Sequence, residues 1–261
     1  MTKRWPELLL ISALALALAT TGGWIGSDWA STHAQVHGAP SFAHPLGTNA
    51  LGQDLLARLL QGLAQLGLSV LPGALLAIAV GVGLGLLAAW RRDSWLDRSI
   101  LSLADVFDSL PSYLMMVALA VVVRAIPGGS FLLLAALFWT SVARSVRAEA
   151  VLLMPQAFVE AALALGLTPI RVVAAQLLPI LQPVLAAQAL ITLGDCLKAQ
   201  VVLGFLGLDA QAGASLGSLI AEGTADLLAS KFQTLLVGSA PVLLLMLALD
   251  ALSRRIRPQV L

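Results

Sequence analysis

Charge is scarce in this chain: Asp, Glu, Lys and Arg make up 11% of its 261 residues, against 59% hydrophobic ones. A soluble domain could not cover that much apolar surface with so few charged groups, so a water-surrounded fold is excluded. The two signs nearly cancel, at a formal net charge of +1, which leaves no basic field to hold nucleic acid. Cysteine is down to one residue, Cys196, so no disulfide can form within the chain. It lies in an apolar run, where a buried thiol is the ordinary state. No catalytic constellation is read either. There is no G-x-x-x-x-G-K-[ST] loop to cradle a nucleoside triphosphate and no H-E-x-x-H pair to hold a zinc ion. Any ATP chemistry tied to this chain has to come from another one.

What the chain has in abundance is apolar length. A hydrocarbon core of about 30 Å needs about 20 apolar residues. Six runs qualify, near residues 7–25, 66–89, 101–124, 130–147, 181–206 and 233–252. An all-α polytopic membrane protein with six transmembrane helices is expected. The first run follows Lys3 and Arg4, and the stretch Gly22-Gly23-Trp24 to Ser27-Asp28 makes a poor cleavage site, so it reads as a retained signal anchor. With the N-terminus in the cytoplasm, Lys3, Arg4, Arg91, Arg92, Arg98, Arg144, Arg147, Arg171, Arg254, Arg255 and Arg257 fall inside, which is 11 of the 15 basic residues. The positive-inside preference therefore puts both termini, and the loop 148–180, in the cytoplasm.

Residues 1–65 are read as an N-terminal span plus an external segment, and 66–261 as a five-span core. The external segment contains His33, His37 and His44, but Pro40 and Pro45 break it and no helix pattern brings the imidazoles together, so no metal site is expected. Beyond it, Asn49 suits a helix cap, and Leu51, Leu55, Leu56, Leu59, Leu60 and Leu63 make an apolar stripe with Asp54 and Arg58 paired on the other side. That pattern predicts a helix lying on the outer membrane surface.

Residues 155–179 are too polar at the start for a span. Pro155 suits a first helical turn, Gly166 a left-handed stop, Thr168-Pro169 a second helix start, and Pro179 its end. Ala161 and Ala162 permit close backbone approach, and Glu160 offers a carboxylate to an outside donor. A helix–glycine–helix elbow of this kind can pass a push between two rigid bodies. A plain amphipathic connector suits the same residues equally well.

Ionisable groups within spans usually face protein interior or water. Asp105 and Asp108 lie one turn apart near the start of the third span, as do Asp195 and Lys198 within the fifth. These four, with Gln200, are candidates to line a translocation pathway. A structural ion pair fits Asp195 and Lys198 at least as well, and contact with Arg98 or a second subunit fits Asp105. Thr140, Ser141 and Thr192 suit bonds between helices. Met115, Met116 and Tyr113 suit packing.

The stretch Glu160-Ala161-Ala162, Gly166, then Gln176-Leu177-Leu178-Pro179 resembles the EAA loop of bacterial ABC importer permeases, with Gln176 a departure from the usual residue. Three further stretches resemble the C-type subunit of the dipeptide, oligopeptide and nickel importers. These are His44 to Asn49 with Gly52-Gln53-Asp54, Asp105 through Pro111, and Gly204-Phe205-Leu206-Gly207-Leu208 with Leu216-Gly217. Asn49, Gln53 and Leu216 are substitutions within that pattern. In order, the matches run from about residue 40 to 220.

The resemblance implies a type I importer permease fold in the bacterial cytoplasmic membrane. It implies a second permease in a heterodimer, two cytoplasmic ATPase subunits that carry the ATP and Mg, and a periplasmic or lipid-anchored binding protein. It implies no cofactor on this chain. Glu160, Ala161, Ala162, Leu165 and Gly166 become the ATPase-coupling residues. Alternating access would move short peptides, or nickel and opine-type metal chelates, inward. From the residues alone, an ion-coupled secondary transporter and a non-transporting membrane scaffold are the alternatives.

Overall fold

The computed structural model describes residues 30–32, 35–209 and 215–256. The expected first span and its anchor, His33 and Arg257 lie outside them. The described residues form eight helices and no strand of a sheet. Four of the helices are long and apolar enough to cross a membrane, and a bent pair makes a fifth crossing if counted as one.

Helix α1, Leu55–Trp90, has 36 residues, about 54 Å at 1.5 Å per residue. The separate surface helix expected before the second span is not there, because the leucine stripe simply runs on into that span. No breaker interrupts residues 55 to 71, and the stripe has a partner other than lipid: Leu55 and Leu63 are buried against Leu216 and Leu219. The cap is Asp54, whose carboxylate accepts from the N–H groups of Leu56 and Ala57. Asn49 instead closes the preceding turn, its Oδ1 accepting from Leu51 and Gln53. Asp54 pairs with His44 at 2.9 Å rather than with Arg58.

The expected third span is two helices. Trp95–Ser109 (α2) and Ser112–Val123 (α3) meet at a 91° bend. Pro111 causes it: the proline lacks an N–H, and it forces Leu110 into extended backbone at φ −98° and ψ 142°. Helix α4, Gly129–Leu153, overruns the expected fourth span, so Arg144 and Arg147 lie inside it rather than at its end. Both are paired with α2. Arg147 makes a two-toothed contact with the buried Asp97 at 2.6 and 2.7 Å, and Arg144 reaches Asp105 at 2.7 Å and Asp108 at 3.0 Å. Ion pairs thus fasten the amphipathic α2 across the end of α4.

Helices α1 and α4 run parallel and pack on small residues. A Cβ added at Gly73, Gly81 or Gly85 would meet Leu134, Val142 or Val146 and Ala143 in turn, each one step further along both helices. Spacing of this small-residue kind lets two membrane helices approach until their backbones nearly touch.

After the short α5 (Ala157–Ala164), helix α6 runs continuously over Pro169–Phe205. Pro179 does not end it. A π turn at Val173–Leu177 precedes that proline, with the Leu178 N–H bonded to the carbonyl of Val173. The wider turn takes up the proline's clash and missing donor, as such turns do. Cys196 is fully buried on α6. Helix α7 (Leu216–Asp226) is a short element that the apolar runs do not announce. Ser215 and Ser218 cap it reciprocally, and Gly217 lets it press onto the backbone of α6 at Val201 and Phe205. Helix α8 is Gln233–Ile256.

At the α7 end, residues 35–54 are stitched to the rest. The buried Arg58 grips Glu222 through both guanidinium nitrogens, 2.6 Å for the second. Asn49 also donates to Glu222 at 3.2 Å, and Gln233 donates to the carbonyl of Leu46. His37 lies 4.0 Å from Asp226. The two described histidines, His37 and His44, are thus each beside a carboxylate, and not beside one another.

Candidate functional site

The loop at residues 154–168 projects from the end of the bundle opposite α7. Its helix begins at Ala157 with Gln156 as cap, two residues later than Pro155 suggests. One side of α5 is anchored. Val159 and Ala162 are buried in a cluster with Leu86, Ala89, Val146 and Ala150 from the ends of α1 and α4, and with Val172 and Leu177 from α6. The other side is open: Glu160, Ala161, Leu163 and Ala164 are exposed. Of the two alanines thought to allow close approach, Ala162 therefore packs inward and Ala161 faces out.

Gly166 ends the helix at φ +83°. Its N–H bonds to Leu163 at 2.9 Å and the N–H of Leu167 to Ala162 at 3.1 Å, which is the paired Schellman closure that favours glycine. A Cβ here would meet nothing within 4 Å, so only the backbone conformation requires glycine. Thr168 and Pro169 then start α6 in the cap and first-turn positions. The turn leaves Leu165 at 82% and Ile170 at 81% exposure, and Glu160 is exposed as well. A firmly held base under an exposed mixed apolar and acidic face suits contact with a separate body, not catalysis.

The candidate pathway residues fall into three separate groups. Asp105 and Asp108 share Arg144, not Arg98, and Thr140 also donates to Asp108 at 2.9 Å. Asp195 and Lys198 pair at 2.6 Å with side chains 31% and 48% exposed. Gln200 is buried and donates to Asp209 at 3.0 Å. Ser141 bonds only within its own helix, to Phe138, and Thr192 is buried with no bond to a neighbouring helix.

Asp209 is the residue that sequence reasoning misses. Its carboxylate accepts from Gln65 at 2.8 Å, Gln200 at 3.0 Å and Ser130 at 3.2 Å, so one loop side chain ties α1, α4 and α6 together. Arg58–Glu222 is the other. Gly213-Ala214-Ser215-Leu216-Gly217 has the G-x-S-x-G spacing of a hydrolase elbow. Ser215 is nevertheless a helix cap, with its hydroxyl accepting from the Ser218 N–H at 3.0 Å. It caps α7, and no strand is found among the described residues, so these give that spacing none of the context on which its chemistry depends.

The family described as binding-protein-dependent transport system inner membrane component matches residues 81–261, which include the elbow and the whole of α4 to α6. The chain belongs to that family. It is the permease subunit of a binding-protein-dependent ABC importer, with ATP hydrolysis the task of a separate subunit. Neither a secondary transporter nor a passive scaffold fits a chain of this family. The permease is similar to the oligopeptide transport system permease protein OppC of Mycobacterium tuberculosis, 31% identical over 212 residues that cover 80% of this chain and 72% of that one. A putative peptide transport system permease protein of Brucella suis is 30% identical over 221 residues, covering 83% of this chain and 72% of that one. The glutathione transport system permease protein GsiD of Shigella dysenteriae is 27% identical over 225 residues, covering 84% and 73%. Among solved structures, the inward-facing methionine ABC transporter MetNI shares the fold at a TM-score of 0.61 and 24% identity, covering 77% of this chain and 97% of that one.

Proposed function

We propose that this permease moves short peptides into the cytoplasm and is driven through the loop at 155–179, which docks on a cytoplasmic ATPase. The elbow at Gly166 carries the proposal. It holds Glu160, Leu165 and Ile170 outward on a base rigidly packed into three transmembrane helices, so a push on the loop moves the bundle rather than the loop alone. The proposed complex contains a second permease in a heterodimer, two ATPase subunits holding ATP and Mg, and a periplasmic or lipid-anchored binding protein. Peptides are favoured by the names of relatives that match most of this chain. Nickel and opine-type chelates draw no support from those relatives.

Orientation follows from charge. Arg91, Arg92, Arg171, Arg254 and Arg255 flank helix ends on the side of the elbow, which the positive-inside preference assigns to the cytoplasm. In a background in which the buried Cys196 is replaced by alanine, Ser41→Cys is expected to react with an impermeant maleimide added to intact spheroplasts. Thr168→Cys is expected to react only after the membrane is opened. Labelling of position 168 in intact spheroplasts would reverse the orientation and remove the ATPase contact. The ATPase is also expected to co-purify with the permease, and loss of the ATPase band with Glu160→Lys would locate the contact.

A further inference from the structure

Asp195 and Lys198 stand on a membrane-spanning helix, where charged groups are costly unless they meet protein or water. They are not packed away, for the pair keeps 31% and 48% of its side-chain surface open. Asp195 lines a cavity of about 220 Å³ with Ser112, Tyr113, Met116, Leu137 and Phe138. The cavity forms at the break between α2 and α3. Ser112 and Tyr113 are the first two residues of α3, whose cap, Pro111, offers no side-chain bond to them. A helix start carries the positive end of the backbone dipole. In secondary transporters, which are built differently, such starts of broken helices face the anionic groups of substrates.

The lining therefore combines a carboxylate, the start of a helix and an apolar wall, and the ammonium group of Lys198, outside the lining, stands 2.6 Å from that carboxylate. Those are the complements of an ammonium group, a carboxylate and a side chain on one small molecule. We infer that this cavity is a station on the translocation pathway that reads a zwitterionic substrate by its two charged ends, a short peptide with free termini. The inference rests on the proposed function of the permease. The substrate's ammonium group replaces Lys198 as the partner of Asp195, and Lys198, released, takes the substrate's carboxylate. One ion pair becomes two with no charge left unpaired, which limits the desolvation cost of entry. Because Asp195 and Lys198 recapture each other when the substrate leaves, holding is weak enough for passage.

The test uses the assembled importer in proteoliposomes, with Tyr113→Cys in the Cys196→Ala background. Trialanine at about ten times its dissociation constant is expected to slow maleimide modification of that cysteine roughly tenfold, as occupancy dictates. N-acetyl-trialanine amide, with neither charge, is expected to leave the rate unchanged. Adding Asp195→Asn is expected to abolish the protection by trialanine. A second variant, Asp195→Lys with Lys198→Asp, keeps the ion pair in reversed order. It is expected to assemble normally, bind ATPase and lose the protection, because position 195, the one of the two that lines the cavity, then presents an ammonium group to the positive start of α3. Equal protection by both compounds, or by neither, overturns the inference, as does undiminished protection in the reversed pair. If the wild-type importer moves trialanine and Tyr113→Cys is still unprotected, the station alone is wrong. If it moves no peptide, the proposed substrate class falls with it.

Discussion

Gly166→Val is expected to reduce import by roughly 5- to 30-fold while leaving the protein inserted in the membrane. A side chain in the left-handed region costs about 1–2 kcal/mol, and that cost corresponds to a change of this size in the population of the correct elbow. No atom lies within 4 Å of the added Cβ, so the loss acts through backbone geometry and not through a clash. Gly166→Asn separates the two, because asparagine tolerates the same conformation, and it should retain most of the activity. Glu160→Lys is expected to give a loss of similar size by a different route, placing the wrong charge on the uncovered face. The measurement is transport together with substrate-stimulated ATP hydrolysis in the reconstituted complex. Arg254→Ala, which removes an exposed pair with Asp250, should change neither. Full coupling in Gly166→Val would mean that the elbow is a passive connector.

Gly81→Leu is expected to prevent the bundle from forming, whereas Gly83→Ala, two residues away on the same helix, should be tolerated. At Gly81 even a Cβ would come within 2.5 Å of the Val142 Cβ and 2.7 Å of the Trp139 carbonyl oxygen. Both atoms belong to the α4 backbone or are fixed directly on it, so no rotamer change relieves the contact. Overpacking of this kind costs about 1–3 kcal/mol when a structure can adjust, and a leucine here leaves little room for adjustment. At Gly83 a Cβ meets nothing within 4 Å, and alanine favours the helix by about 1 kcal/mol. Detergent-solubilised protein, followed by size-exclusion chromatography and thermal unfolding, distinguishes the two. A folded, monodisperse Gly81→Leu would show that α1 and α4 are further apart than described.

The elbow was legible because each of its signals is local. A glycine where φ must be positive, and a threonine before a proline, act within a few residues whatever the rest of the chain does. The later spans were legible for the same reason, since apolar length is a property of the segment. Distant partners decided the rest. The leucines at 55–63 suit a membrane surface or a protein core equally, and only Leu216 and Leu219 settle which. Arg144 and Arg147 look like the end of a span until Asp105, Asp108 and Asp97 neutralise them from α2. Pro111 and Pro179 are alike in sequence, but one breaks a helix and the other follows a π turn that absorbs it. Asp209 follows an ordinary glycine turn, and nothing in its neighbourhood announces that Gln65, Ser130 and Gln200 converge on it.

The stitching of residues 35–54 has a consequence for the order in which the protein is made. Arg58 and Glu222 are separated by 164 residues, and Leu46 and Gln233 by 187. The ribosome therefore delivers one half of each contact long before the other. Until α7 emerges, Arg58 at the head of α1 lacks the counter-charge of Glu222, and the leucines beside it lack the cover of Leu216 and Leu219. Newly made α1 through α6 must wait with the end that α7 covers unfastened. A chain halted before residue 222 remains in that state and offers a membrane protease an open end. The last fifth of the polypeptide thus acts as the seal that distinguishes a finished permease from an unfinished one.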